Sequence, residues 1–205
     1  MHTKIERLVV GSNNKGKIIE IKTILGKYFD EIVSLKEAGI ELEVVEDGVT
    51  FFENAEKKAK EAYSITKCAT LADDSGLMVD FLDGRPGVYS ARFAGENATD
   101  DENNELLLEM LKDVPADKRS ARFVCTLVLC LPDGKTLTAE GACEGRIYDQ
   151  IKGTNGFGYD SLFFVEQFGQ TMAEIDPAEK NKISHRYKAL ISLMEKLDNY
   201  MQSDI

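Results

Sequence analysis

The order of the apolar segments along the chain is the feature that most constrains its fold. In the first half, short apolar runs alternate with stretches of helical spacing: RLVVGS precedes GKIIEIKTILG, and EIVSL precedes a helix from Thr50 to about Thr66. The second half is rich in strand signals, with RFVCTLVLCLP, a turn at Asp133-Gly134, TLTAEGACEGRI and SLFFV. Alternation followed by a meander predicts an α/β fold with a mixed sheet flanked by helices, not a purely parallel sheet.

Capping residues mark the predicted helices. Thr50 and Glu53 form a capping-box pattern, in which each side chain satisfies a free backbone N–H at the helix start. A further helix is predicted from Thr99 to Val114, with acidic residues at its N-terminus, where the helix dipole favours negative charge. The last helix is predicted to begin near Ser184 and to bury four apolar residues, Leu190, Leu193, Met194 and Leu197.

Charge and composition exclude several classes of protein. The formal net charge is −11 over 205 residues, and no basic face or tail stands out, so a nucleic-acid partner is not expected. An anionic ligand must therefore be met by a local group of cations, helped by a bound metal. The N-terminus lacks the pattern of a signal peptide, and no apolar run approaches ~18 residues. We expect a cytoplasmic protein that contacts no membrane, in one domain spanning residues 1–205.

The cysteines and histidines do not favour a zinc site or a disulfide framework. None of the cysteines has CxxC spacing, and the chain has two histidines, His2 and His185. Buried reduced thiols are the expected state of the cysteines, which are Cys68, Cys125, Cys130 and Cys143.

The stretch GSNNKGK, residues 11–17, predicts a phosphate-binding loop between a strand and a helix N-terminus. Unpaired backbone N–H groups and the helix dipole favour an anion there, and Ser12, Asn14 and Lys17 add side-chain donors. A P-loop requires Ser or Thr after the lysine to hold Mg²⁺, whereas this chain has Ile18. A tight turn with a solvated lysine is the alternative.

The segment ADDSG places two adjacent carboxylates at the predicted end of an apolar strand. Neighbouring side chains on a strand face opposite sides, so Asp73 and Asp74 should diverge unless the strand has already turned. One acid would hold a metal or accept a proton from water while the other braces a loop. Oxygen ligands of this kind suit Mg²⁺, and Glu46 is a third candidate. An acidic turn without function is the alternative.

A glycine-rich loop and a later group of cations are the remaining candidate ligand-binding features. In KGTNGFGYD, residues 152–160, the glycines allow close approach to a ligand, and Phe157 is placed either to stack on a flat base or to plug the core. The stretch EKNKISHRYK contains Lys180, Lys182, His185 and Arg186, an unusual concentration of donors in an acidic chain.

These segments together resemble one known family. SNNKGK, TFFENAEKKAKEA, LADDSGLMVD, PGVYSARFAG, GTNGFGYDSLF and ISHR occur in the order typical of the inosine/xanthosine triphosphate pyrophosphatases, from about Leu8 to about Leu197. These enzymes remove deaminated purine nucleotides. The resemblance implies a two-lobed α/β fold with a long mixed sheet, a nucleotide cleft between the lobes and a homodimer. It also implies Mg²⁺-dependent cleavage of ITP, dITP or XTP to the monophosphate and pyrophosphate.

The resemblance also implies roles for individual residues. Asp74 matches the residue that deprotonates water, and the metal ligands are implied to be Glu46, Asp73 and Asp74. Substrate contacts are implied for the phosphate loop, one helix lysine, the strand serine, the glycine-rich loop and the late cations, namely Ser12, Asn13, Asn14, Lys15, Gly16, Lys17, Lys58, Ser75, Phe157, Gly158, Tyr159, Asp160, Lys180, His185 and Arg186. One departure is Ser12-Asn13, where many relatives have Thr-Gly.

Three other functions fit parts of this pattern. A P-loop-like ATPase or GTPase would use residues 11–17 and release orthophosphate, but Ile18 argues against it. A pyrophosphatase for pyrimidine or methylated nucleotides would give no reason for the donor cluster around His185. A non-catalytic nucleotide-sensing module would give no role to the carboxylates of ADDSG and Glu46.

Overall fold

The computed structural model describes residues 4–203, in which seven strands form one sheet. The strands are β1 (Ile5–Val10), β2 (Phe29–Ser34), β3 (Ala69–Val79), β4 (Ser120–Cys130), β5 (Thr136–Ile147), β6 (Phe163–Val165) and β7 (Gln170–Thr171). Their order across the sheet is β2-β1-β3-β4-β5-β6-β7. β1 pairs in parallel with β2 and β3, while β6 pairs antiparallel with β5 and β7. The predicted mixed sheet is confirmed.

The helices of the described residues are α1 (Lys15–Leu25), α2 (Phe51–Thr66), α3 (Asp100–Leu111), α4 (Pro177–Ile183) and α5 (His185–Ser203). No helix among residues 4–203 combines the length and apolar character needed to cross a membrane. No disulfide joins the four cysteines, which all lie in this range.

The described residues form two compact units, and each unit has its own apolar core. The first unit comprises residues 4–74, 125–141 and 186–203, and the second comprises 75–124 and 142–185. The largest core of the first unit includes Leu8, Ile18, Leu127 and Leu190, whereas that of the second includes Leu77, Leu107 and Phe163. Strands β3, β4 and β5 contribute residues to both units.

Ile18 shows why α1 tolerates an apolar residue after Lys17. Its side chain is 7% exposed and belongs to the apolar cluster of the first unit, together with Ile21 and Leu25 one and two turns later. Ile18 therefore faces the core as part of the apolar face of α1. A hydroxyl at this position would point into an apolar environment and away from any ligand of the loop.

Two predicted boundaries and one predicted capping contact differ in detail from the structure. β3 does not end at the two acids but continues to Val79, because Leu77 and Val79 are buried in the second unit. Helix α3 ends at Leu111, not Val114. At the start of α2, Thr50 accepts from the Glu53 N–H as predicted, but Glu53 Oε2 accepts the N–H of Val49, one residue before the cap, at 2.7 Å.

Candidate active site

Asp73 and Asp74 lie in the middle of β3, and their side chains face different partners. Because the strand remains extended through both residues, the alternation of a β-strand sends one carboxylate toward Lys17 and the other toward α2. Both carboxylates are buried. The prediction that the two acids diverge is confirmed, and each must be assigned its own role.

Asp73 is held by two cations of the first unit. Lys17 Nζ donates to Oδ1 at 3.0 Å and to Oδ2 at 2.8 Å, and Arg186 Nε lies 3.4 Å from Oδ2. Burial alone would raise the pKa of Asp73, but the positive charges of Lys17 and Arg186 outweigh it and lower the pKa to about 2. The nearby Glu20 lies 3.9 Å from Arg186, and burial raises its pKa. Asp73 is therefore a fixed anion at any physiological pH.

Asp74 has the opposite electrostatic environment. Asn54 Nδ2 donates to Oδ2 at 3.1 Å, and Lys58 Nζ lies 3.3 Å from Oδ1. Burial raises the pKa of Asp74, an effect that Lys58 opposes and that the nearby charge of Glu46 reinforces. A carboxylate with a raised pKa is a stronger base than a solvated one, so neighbouring acids on one strand are suited to different tasks.

Glu46 and Asp74 share one cation. Lys58 Nζ lies 3.3 Å from an oxygen of each carboxylate, so the two acids face the same small volume. This donor set suits a hard divalent cation that takes its other ligands from phosphate oxygens and water. Among residues 4–203, however, no three acidic, histidine or cysteine side chains cluster as a complete protein metal site. Asp73, the third predicted metal ligand, instead contacts Lys17 and Arg186.

Side chains of the phosphate loop organise its backbone. Asn14 is the N-cap of α1 and its Oδ1 accepts the Lys17 N–H at 3.1 Å, while Ser12 Oγ accepts the Asn14 N–H at 3.2 Å. Asn13 Oδ1 accepts the N–H of Lys36 at 3.0 Å and so fastens the loop to the segment after β2. Lys15 and Gly16 form the first turn of α1. The side-chain oxygens of Ser12 and Asn14, which were expected to contact a ligand, thus stabilise the loop itself. Lys17 is the loop residue whose ammonium group reaches Asp73.

In the second unit, Asp160 and residues of α3 hold the glycine-rich loop. Asp160 Oδ2 accepts the Phe157 N–H at 2.9 Å and also binds Lys180 Nζ. Asp100 accepts the N–H of Gly158 at 2.6 Å, and Asn104 Nδ2 donates to the carbonyl of the same glycine at 3.0 Å. Hydrogen bonds to Asp160 and to two residues of α3 therefore hold the loop in place.

The two aromatic residues of this loop have different environments. Phe157 is 69% exposed, with Lys180 Nζ 5.6 Å from its ring centroid, so it does not plug the core. Tyr159 is 4% exposed and its hydroxyl donates to the carbonyl of Ser90 at 2.8 Å. Phe157 therefore presents its ring to solvent, while the buried Tyr159 anchors the loop through its hydrogen bond to Ser90.

The remaining candidate residues are divided between the units. His185, like Lys180, belongs to the second unit, and its ring stacks on Phe123 with centroids 5.2 Å apart. Arg186 belongs to the first unit, where its guanidinium is mostly buried against Asp73 and Glu20. Ser75, the first residue of the second unit, is partly buried in β3.

Three polar residues of these sites were not predicted from the sequence. Asn54 is fully buried against Asp74, and Asp100 and Asn104 hold Gly158. A polar residue such as Asn54 on the buried face of an otherwise amphipathic helix is the one signal that could have pointed to it. The partners of Asp100 and Asn104 are more than 50 residues away in the chain, so no local pattern marks them.

Replacement of Gly156 by alanine should distort the glycine-rich loop. A Cβ atom there would lie 2.1 Å from Asp160 Oδ2 and 2.9 Å from Lys180 Nζ, and the residue has a φ of +84°. The clash would displace Asp160 from the Phe157 N–H and so shift the loop. We expect KM for the nucleotide implied by the family resemblance to rise about tenfold or more, which is about 1.4 kcal/mol. Gly134→Ala is the matched control, because its φ is +87° and nothing lies within 4 Å. Steady-state kinetics with equal KM values for both variants would contradict this role for the loop.

Comparison with known proteins places these sites in context. Residues 8–196 match the Ham1 family. The chain is 53% identical to the dITP/XTP pyrophosphatase of Geobacter sulfurreducens over 191 residues, covering 93% of this chain and 96% of that protein. It is 51% identical to the dITP/XTP pyrophosphatase of Exiguobacterium sibiricum over 195 residues, covering 95% and 98% of the two chains.

Solved structures give the same assignment. The Staphylococcus aureus Ham1 protein matches with a TM-score of 0.88 and 40% identity, covering 95% of this chain and all of that one. The nucleoside-triphosphatase or dITP/XTP pyrophosphatase of Mycobacterium abscessus matches with a TM-score of 0.78 and 41% identity, covering 91% and 98% of the two chains. The resemblance inferred from the sequence motifs is confirmed, and this chain belongs to the Ham1 family.

Proposed function

We propose that this protein hydrolyses deaminated purine nucleoside triphosphates, namely ITP, dITP and XTP, to the monophosphate and pyrophosphate. The observation that carries the proposal is the contrast between the neighbouring acids of β3. Asp73 is a fixed anion that orients Lys17, whereas Asp74 is a buried carboxylate of raised pKa beside a second lysine. This combination supplies a base and cations for attack of water on a phosphate chain, and the activity is that named for its relatives.

The first unit would bind the triphosphate and activate water. Lys17 and Lys58 would stabilise the negative charge that builds on phosphate oxygens during attack. Asp74 would accept the proton of a water that attacks the α-phosphorus, so pyrophosphate leaves and orthophosphate does not form. Asp73 would keep Lys17 and Arg186 in place through the contacts described above.

The donor set of Glu46 and Asp74 supports a requirement for Mg²⁺. Both carboxylates already share one cationic group, the ammonium of Lys58. The chemistry that Mg²⁺ supplies when bound is neutralisation of the triphosphate, which makes pyrophosphate a better leaving group. We expect excess chelator to abolish turnover and added Mg²⁺ to restore it.

The second unit would select the purine base of the nucleotide. Hypoxanthine and xanthine carry an acceptor oxygen at C6, where adenine carries a donor amine. Lys180 and a ring N–H of His185 are donors, so an adenine amine facing them would be left unpaired, which is costly where water is excluded. The exposed ring of Phe157 is available for stacking on the base.

One assay tests the proposed reaction. The purified protein is incubated with Mg²⁺ and each of ITP, XTP, dITP, GTP, ATP and dUTP, and pyrophosphate and orthophosphate are measured separately. We expect pyrophosphate from the first three substrates and much slower release from ATP and dUTP. Guanine has the same C6 oxygen as hypoxanthine, so the rate with GTP measures how strongly its 2-amino group is excluded. Orthophosphate as the first product, or equal rates with ATP, would contradict the proposal.

We also propose that the protein is a homodimer acting on free nucleotides in the cytoplasm. The family resemblance supports this, as do three large apolar side chains close together in sequence that are exposed in the single chain, Val45, Val49 and Phe52. Light scattering of the purified protein should give about twice the 22.8 kDa mass of the chain. A monomeric mass at micromolar concentration would exclude the dimer.

A further inference from the structure

Asn54 is a fully buried polar residue in the first turns of α2 that connects two parts of the first unit. Its Nδ2 donates to Asp74 Oδ2 at 3.1 Å, and its Oδ1 accepts the backbone N–H of Gly48 at 2.8 Å. Both ends of the amide are therefore used, one on the proposed base and one on the segment before the helix.

Asn54 and Lys58, on one face of α2, each contact one oxygen of the Asp74 carboxylate. They are four residues apart and therefore neighbours on the helix surface. Asn54 binds Oδ2, while Lys58 Nζ lies 3.3 Å from Oδ1. An amide donor on one oxygen and a cation at the other fix the rotation of the carboxylate.

The other end of the amide holds the segment that carries Glu46. A Cβ atom on Gly48 would lie 2.6 Å from Asn54 Oδ1 and 2.8 Å from Glu53 Cβ, so only glycine allows this approach. Two residues before Gly48, Glu46 reaches the same lysine, with Lys58 Nζ 3.3 Å from its Oε1. The contacts thus close a ring that runs through Glu46, Gly48, Asn54, Asp74 and Lys58.

We propose that Asn54 is a positioning residue. It acts through Asp74 and Gly48 to set the orientation of the Asp74 carboxylate and the separation between Asp74 and Glu46. The proposal rests on the role given above to Asp74. Groups that orient a catalytic or metal-binding carboxylate typically change affinity or activity by about 10–100-fold when removed. Loss of the Asn54 amide would leave the Asp74 carboxylate free to rotate and the Gly48 N–H without its acceptor.

Asn54→Ala tests this inference, with Thr50→Ala as its matched control. Thr50 caps the same helix through the Glu53 N–H and does not touch Asp74, so its loss weakens α2 without disturbing the acids. We expect Asn54→Ala to lower kcat for dITP about tenfold or more with little change in KM, and Thr50→Ala to leave kcat unchanged. Melting temperatures of both variants show whether lost stability accounts for the difference. A similar kcat in the two variants would overturn the proposal.

A double-mutant cycle separates failure of this inference from failure of the proposed mechanism. If Asn54 acts through Asp74, Asn54→Ala should have little further effect on kcat in an Asp74→Asn background. A full additional tenfold loss there would overturn the positioning role. Near-normal turnover of Asp74→Asn alone would instead reject Asp74 as the base and, with it, the foundation of this inference.

Gly48→Ala provides a second variant in case the buried Asn54→Ala protein does not fold. The added methyl group would clash with Asn54 Oδ1 and so disturb the contact, although no functional group of the ring is removed. We expect the same pattern of lower kcat with similar KM. Binding of Mg²⁺ alone, measured by calorimetry, should weaken by several-fold in this variant if Glu46 moves relative to Asp74. Unchanged kcat and unchanged Mg²⁺ binding would contradict the proposal.

Discussion

Replacing Asp74 by asparagine should lower kcat by about 10²-fold or more while the protein still binds nucleotide. The amide has nearly the same size as the carboxylate, so the β3 backbone and the fold of the first unit should persist. It cannot accept a proton from water near neutral pH, however, and it removes the negative charge beside Lys58. Pyrophosphate release from dITP measures the rate, and equilibrium dialysis with dITP measures binding.

Asp80→Asn is the control for this variant. Asp80 directly follows β3 and is partly exposed, and its oxygens bind Ser120 and Arg122 within the second unit. The same chemical change at this position should leave kcat near that of the unmodified protein. If Asp74→Asn and Asp80→Asn had equal turnover, Asp74 would not be the base.

Replacing Arg186 by alanine should destabilise the protein strongly. The guanidinium is mostly buried against Asp73 and Glu20, so its removal leaves buried carboxylates without their cation. Breaking a buried ion pair from one side costs about 3–5 kcal/mol, and Lys17 still compensates part of the charge on Asp73, so we expect the lower end. For a chain of this length, that corresponds to a melting temperature about 10 °C lower. Differential scanning calorimetry measures the shift.

Arg122→Ala is the matched control for Arg186→Ala. Arg122 also pairs with an aspartate, Asp80, but both side chains are more than a third exposed, and such pairs contribute about 0–1 kcal/mol. Its melting temperature should change by no more than a few degrees. Equal shifts in the two variants would contradict the importance of the buried network. Folded Arg186→Ala protein, assayed at low temperature, then tests whether Arg186 affects the preference for ITP over ATP.

The sequence was most informative where a local pattern determines the structure. The apolar run RLVVGS, the glycine and asparagine residues after it and the helical spacing of Ile18, Ile21 and Leu25 predicted β1, the phosphate loop and α1. The alternation rule for strands predicted that Asp73 and Asp74 diverge, because it depends only on adjacent residues. Resemblance to known pyrophosphatases then assigned substrate and metal roles that no spacing rule could supply.

Partners distant in the chain could not be predicted in this way. Nothing in the local sequence of Arg186 indicates that it pairs with Asp73, more than a hundred residues earlier, although the resemblance implied that it contacts the substrate. The opposite pKa shifts of Asp73 and Asp74 likewise depend on which cations the fold brings to each side of β3. Tertiary packing determines these features, and propensity and periodicity carry no information about it.

The division of the chain between the two units has a consequence for biosynthesis. The chain passes from one unit to the other after Asp74, Val124, Gly141 and His185, so neither unit is a continuous stretch. Helix α5 supplies Leu190, Leu193 and Leu197 to the core of the first unit, and Arg186 supplies the cation for Asp73. While the ribosome is still translating, the nascent first unit lacks its last helix. The hydrolytic activity proposed for the first unit should therefore appear only after the complete polypeptide has been released.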